Sequence, residues 1–349
     1  MIPGLVLPEQ ADGPPSDGVT IQARFRTGDQ DTLLWQGTLQ PGEFEPVRVD
    51  LSAWEGTHGR LSFVTDPGDD PTFDYAFVAD PILAPRRAAP RRVVLAFVDT
   101  LRADHLSLYG YHRPTSPHLD ATAAEGAVFE QARSVAPWTL PSYRTMVTGG
   151  APTAWAGART LQDRLREQGW ATAMFAGNLY LGPNFDGTRG WGYHRIENWP
   201  GARSQVDHAL RWLERQDGRD ALMLVHFMDP HLPYLEPLTY RRRFAGDRPD
   251  GLVEEIERGD VLGFRGDREV LRKHLIGRYD NNIRYVDDEL HRLVNALGPD
   301  DLLVVLSDHG EEFWDHGDFE HGHTLYDELL RVPLVFRGPG IGAGRFDAP

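Results

Sequence analysis

Four histidines and a cluster of carboxylates fall within one short stretch, Leu302 to His323, LLVVLSDHGEEFWDHGDFEHGH. Its apolar start, Leu302 to Leu306, has strand character and stops at Ser307-Asp308-His309-Gly310; His316, His321 and His323 follow. A buried strand that delivers Asp and His at its C-terminal end is where an open α/β sheet presents chemistry. The two side chains also suit a borderline-hard metal ion. The same residues read equally well as a strand followed by an acidic, solvated loop, and this stretch alone does not separate the two. His316 reads as loop.

Two other apolar runs end in the same manner. Val93 to Val98 stops at Asp99-Thr100, and Ala221 to Phe227 stops at Met228-Asp229-Pro230-His231. In one parallel sheet such C-terminal ends share an edge, so these residues can converge with Asp308 and His309 from far apart in the chain. One acidic residue there is more often a cap or turn former; three such ends together are hard to explain structurally. The fourth piece is Pro137-Trp138-Thr139-Leu140-Pro141-Ser142-Tyr143-Arg144-Thr145. Pro141 suits the first turn of a helix, which puts Thr139 and Leu140 just ahead of its N-terminus. Free N–H groups and the helix dipole favour an anion there. Thr139 is then either a nucleophile beside a bound oxyanion or an ordinary N-cap, and on local grounds the cap is the better reading.

The elements that must position these groups divide the chain. Residues 1–88 read as a small all-β sandwich with a Pro/Ala/Arg linker, built from short runs at Thr20–Phe25, Thr32–Trp35, Val47–Leu51 and Arg60–Val64 separated by Gly, Pro and Asp clusters. Trp35, Trp54, Phe73 and Tyr75 form either its core or a sugar-stacking platform, core being the commoner use. From residue 89 to 349, strands alternate with helices, and Arg272 to Leu297 carries the apolar spacing of one long helix. That alternation predicts an α/β fold with a doubly wound, mostly parallel sheet.

Composition narrows the function classes. The chain has 349 residues, a formal charge of -16 and no cysteine, which excludes disulfides, thiolate metal sites and a cysteine nucleophile. Nothing resembles a basic stripe, so nucleic acid is not an expected partner. No stretch is long and apolar enough to span a membrane, and MIPGLVLPEQ lacks the make-up of a signal peptide. The sequence as it stands reads as cytoplasmic, or periplasmic or extracellular if more chain precedes it. Oligomeric state is not legible.

The run Val93 to Gly149, with HFMDPHLPY (His226 to Tyr234) and LSDHGEEFWDHGDFEHGHTLYDELLRVPLVFRGPG (Leu306 to Gly340), resembles the sulfatase family of the alkaline-phosphatase superfamily, with its motifs in order. The resemblance implies one divalent metal ion (calcium, manganese or zinc) on Asp99, Asp308 and His309, with Thr139 as nucleophile and further ligand. It implies that His231 contacts the transferred group and that His321, or else His323, stabilises the anion or protonates the leaving group. Threonine at the nucleophile position precludes formylglycine and resembles the phosphoethanolamine transferases and some phosphodiesterases. The family's arginine falls four residues after the nucleophile, where this chain has Tyr143; Arg144 lies one further, rotated by ~100° on a helix. Relatives continue into a C-terminal subdomain, so a shortened or partial version is expected. The implied activity is metal-dependent hydrolysis or transfer of a small-molecule or glycan sulfate or phosphate ester. The alternatives are a phosphoethanolamine-type phosphotransferase and an inactive sulfatase-like binding protein.

Overall fold

The protein is described by a computed structural model covering residues 2–6, 16–40, 47–71, 74–79, 81, 83–84, 87–216 and 218–348. Two compact units divide at residue 83. In the first, the strands Val19–Thr27, Gln30–Leu39 and Arg60–Asp66 form an antiparallel sheet with Val19–Thr27 in the middle, and Ile2–Val6 pairs antiparallel with Tyr75–Ala79. Alternation along the middle strand buries Val19 and Ile21, against which Trp35, Ala76 and Val78 pack. The expected strand at Val47–Leu51 joins no ladder and has no regular secondary structure. Trp35 is therefore a core residue; Trp54 stands edge-on to Phe25 at 5.8 Å, Tyr75 is exposed, and Phe73 lies outside the described residues.

The second unit is built on an eight-stranded sheet. Its strands, in chain order, are β1 (Arg92–Val98), β2 (Ala127–Phe129), β3 (Ala171–Ala176), β4 (Tyr193–Ile196), β5 (Ala221–Phe227), β6 (Leu302–Ser307), β7 (Leu334–Arg337) and β8 (Gly344–Phe346). The spatial order is β8-β2-β7-β6-β1-β5-β3-β4, and all strands run parallel except β7. Three of these strands (β2, β4 and β8) are too short to stand out as apolar runs in the sequence.

Side-chain alternation along β1 sends Val94, Ala96 and Val98 to one face and Leu95 and Phe97 to the other. The first face is covered by α1 (Pro117–Ala123), α4 (Ala202–Glu214) and the long α5 (Arg268–Asn295); the second receives Tyr143 and Val147 of α2 (Thr139–Thr148). A strand buried on both faces has to be apolar throughout, which is why β1 and β5 read as unbroken hydrophobic runs. The helix α3 (Leu161–Glu167) opens with a capping box between Thr160 and Asp163. The helix α2 begins earlier than its sequence implies. Thr139 is its first residue and Trp138 the cap, because a proline at the third helical position loses only an N–H that has no intrahelical partner.

Candidate active site

Register brings the site together. Val98 of β1 is level with Phe227 of β5 and Ser307 of β6, so the chain leaves three adjacent parallel strands side by side at Asp99, Met228 and Asp308. Ligand atoms of Asp99, Asp308 and His309 lie within 4.8 Å of one another, and all three residues are buried. His309 Nε2 is 3.5 Å from Asp99 Oδ1, 3.3 Å from Asp308 Oδ2 and 3.5 Å from the Thr139 hydroxyl. The imidazole is oriented by Nδ1, which donates to Gly310 O at 2.9 Å and leaves the Nε2 lone pair facing the carboxylates. Gly310 is required there, since a Cβ would come within 1.9 Å of Glu328 O.

Backbone geometry serves the same point. Thr100 has φ of 55°, an unusual conformation for a β-branched residue. Its N–H donates to Asp308 Oδ1 at 3.2 Å, and its carbonyl accepts from the Tyr279 hydroxyl of α5 at 2.7 Å. Asp99 Oδ1 and Asp308 Oδ2 are buried without a hydrogen-bond partner. Two carboxylates in this state cannot both stay ionised unless a cation joins them. Burial works against the Asp99 charge, but His226, His231 and His309 hold its carboxyl far below the usual range. Asp308, desolvated beside that charge, is pushed well above it. Burial and the neighbouring His321 depress His309 to about 3, so it is a neutral imidazole with a free lone pair. Two carboxylates, one neutral imidazole and a hydroxyl, with orphaned oxygens, fit a divalent metal ion.

Two residues at the site were not anticipated. Asn178, two residues beyond β3, donates from Nδ2 to Asp99 Oδ2 at 3.0 Å and to Thr139 Oγ1 at 3.3 Å. The signal for it was the same as for Asp99 and Asp308, a polar residue past a buried parallel strand, one step further along. His226, buried inside β5, has Nε2 3.2 Å from Asp99 Oδ2. An apolar strand context gave no reason to single it out.

A cavity of about 540 Å3 opens over Thr139, lined also by Trp138, Asn178, Trp199, His231 and His321. The His321 ring is 4.4 Å from that of His309 and 4.8 Å from that of His231. Glu311 accepts from His321 Nδ1 at 2.9 Å, which turns Nε2 away from the carboxylate. Burial pushes the Glu311 carboxyl up to about 8 and holds His321 below its ordinary value. No arginine or lysine is among the residues lining the cavity.

Three histidine and arginine positions fall elsewhere. Arg144 donates to Phe185 O at 3.1 Å and stacks over Trp155 at 5.1 Å, so it is not gathered with Thr139. Tyr143, in the place four after the nucleophile, is buried and donates to Gly187 O at 2.6 Å. His323 pairs with Glu312 at 2.9 Å; burial opposes its protonation, and Glu312 overrides this and raises it. His316 stacks on Tyr326 at 3.6 Å and meets Glu328 at 2.5 Å. It is a loop residue.

Among known proteins, the family model described as Sulfatase matches residues 91–345. The uncharacterized sulfatase YidJ of Escherichia coli K12 is 26% identical over 238 residues, which cover 61% of this chain and 45% of that protein. Phosphoethanolamine transferase EptC of Escherichia coli O18:K1:H7 is 26% identical over 245 residues, covering 65% and 40% respectively. The chain thus spans about half the length, or less, of these two relatives. The C-terminal periplasmic domain of EptC from Escherichia coli, in complex with Zn, superposes with a TM-score of 0.59 at 20% identity, covering 73% of this chain and 77% of that domain. At that identity the likeness is one of fold.

Proposed function

Since the chain belongs to the sulfatase family of the alkaline-phosphatase superfamily, we propose that it cleaves or transfers a phosphate-type or sulfate ester through the Thr139 hydroxyl. The observation that carries this reading is the convergence of the buried Asp99, Asp308 and His309 beside Thr139, which itself lines the cavity. Asp99, Asp308, His309 and Thr139 would hold one divalent metal ion, and the mixed oxygen and nitrogen set favours zinc or manganese over calcium. Such an ion lowers the pKa of a bound hydroxyl and neutralises the ester oxygens.

The protein's own groups supply the rest. Asn178 aims the Thr139 hydroxyl by donating to its oxygen, which leaves the O–H free to lose its proton. Oγ1 attacks the phosphorus or sulfur atom, an Oγ1 bond forms as its proton passes to a neutral imidazole, and the bond to the leaving oxygen breaks. His231 and His321 flank the transferred group, and an imidazole there gives the leaving alkoxide its proton. Water, or an acceptor alcohol, then attacks the Thr139 ester and restores the hydroxyl. Release of a threonine ester requires attack at its central atom, which is easier for phosphorus than for sulfur, so we place phosphate-type esters first. With no arginine or lysine lining the cavity, a substrate of low charge suits it better than a polysulfated glycan. The exposed rings of Trp138, Tyr180 and Phe185 suit an apolar or aromatic leaving group.

The test is a panel of aryl phosphodiesters, phosphonate monoesters and aryl sulfates with zinc, manganese and calcium. Mass spectrometry of the quenched reaction should find the acid group on the peptide that carries Thr139. Thr139→Ala should lose turnover by about 10³-fold or more. Equal rates for wild type and Thr139→Ala on every active substrate would remove the nucleophile from the scheme.

A further inference from the structure

A second cavity, of about 240 Å3, adjoins the reaction cavity and shares Trp199 and Met228 with it. Its other walls include Leu235, Pro237 and Tyr285, and Asp229 is its only acidic residue. We propose that this cavity binds a small alkylammonium group, held by the Asp229 carboxylate between the rings of Trp199 and Tyr285.

Three observations carry the assignment. Asp229 follows β5 and is 7% exposed. The Ala202 N–H at the start of α4 meets its carboxylate, yet Oδ2 is buried without any hydrogen-bond partner. A carboxylate oxygen in that position is costly unless a donor or cation reaches it. Cations nearby are committed elsewhere: Arg203 donates to Glu289 Oε1 at 3.0 Å, and Arg292 is paired with the other oxygen of Glu289. His231 is turned toward Leu232 O at 2.5 Å through Nδ1.

The walls decide the chemistry of the missing partner. Two aromatic residues and a carboxylate are the means by which proteins hold organic cations, and Met228, Leu235 and Pro237 offer contacts for methylene groups. Trp199 is kept at φ of 53°, a conformation that an ordinary side chain adopts only under constraint. An anion would face Asp229 directly. A neutral alcohol could satisfy Oδ2 but would gain nothing from its charge or from the ring faces.

Burial raises the Asp229 carboxyl to about 7, with the Glu289 charge adding to the effect. A cation takes the ionised form, so its affinity should be present above pH 7 and decline as the pH falls below it. The titratable groups around Asp229 are Tyr285 and Glu289 from α5, Arg203 from α4 and His231 from its own loop. Burial raises Tyr285 to about 12, so its hydroxyl stays neutral throughout that window.

Ethylammonium, with ethanol and acetate as controls, should be titrated into the metal-loaded full chain by calorimetry and tryptophan fluorescence. The expected result is saturable binding of ethylammonium alone, weakened about tenfold or more by Asp229→Asn and several-fold by Trp199→Leu. Asp229→Asn keeps an acceptor for the Ala202 N–H, so its melting temperature should match wild type and separate binding from capping. Absence of ethylammonium binding, equal binding of ethanol, or equal affinity in wild type and Asp229→Asn would each overturn the assignment. The site is read out without turnover, so it stands or falls apart from the Thr139 chemistry.

Discussion

Thr139 shows how little one residue type says by itself. Its position before Pro141 is that of any N-cap, and the resemblance to a known family raised it to a nucleophile. The geometry adds Asn178, whose amide joins Thr139 to Asp99. An amide that donates to both a candidate nucleophile and a candidate metal ligand orients the pair without taking part in bond making. Asn178→Ala should therefore lower kcat by about 10- to 100-fold, with KM little changed, and Asn178→Asp should weaken metal binding less than it disturbs the Thr139 hydroxyl. An unchanged kcat in Asn178→Ala would make the contact incidental. Arg144 teaches the converse. It has the charge an anion site wants, but its place on α2 sends it to Trp155 and Phe185.

At the scale of elements, the strands were legible because burial on both sheet faces demands apolar runs, and α5 because its apolar spacing is long and regular. What α5 contributes beyond packing was not. It sends the Tyr279 hydroxyl to Thr100 O and to the Arg102 N–H, and so supports the strained turn that aims Thr100 at Asp308. The same helix holds His274, 6% exposed and with neither ring nitrogen hydrogen-bonded. Burial lowers its pKa from 6.5 to about 4, helped by the charge of Arg278. The unfolded chain therefore binds a proton that the folded protein refuses between those values. Stability from this group is complete above pH 6.5 and is lost as the pH falls toward 4, by on the order of 2 kcal/mol. Urea unfolding at pH 7 and pH 5 should show a smaller loss for His274→Phe than for wild type. The same loss in both would assign the acid sensitivity to other groups.

For the whole molecule, the net charge of -16 and the cavity's lack of arginine or lysine put the burden of holding an anion on a metal ion and on imidazoles. Metal binding should then be read in stability, because it joins two buried carboxylates that repel each other otherwise. At a hundredfold excess over Kd a single ion adds about 2.7 kcal/mol. In a unit of this size that raises Tm by roughly 5–10 °C. Chelated wild type should melt lower than protein reloaded with zinc or manganese, and Asp308→Asn should abolish the difference. It should melt no lower than chelated wild type, since it removes a charge that burial penalises. A Tm indifferent to chelation and reloading would count against the metal site. No described helix is long and apolar enough to cross a membrane, in keeping with the sequence.

The sequence by itself determined the α/β class, the strand ends that carry Asp99, Asp308 and His309, and, to within about a turn, the helix start beside Thr139. Each of these follows from local rules: hydrophobic periodicity, where a strand stops, and what a proline permits. It is silent where rules of that kind say nothing: which strand of the mostly parallel sheet runs against the others, here β7, and which three short strands complete it. Only the tertiary structure decided which polar residues meet. Register sets Val98, Phe227 and Ser307 level, α2 is docked so that Thr139 reaches His309, and Asn178 and His226 turn toward Asp99. Those are matters of packing between segments about 80 to 210 residues apart, and no spacing along the chain encodes them.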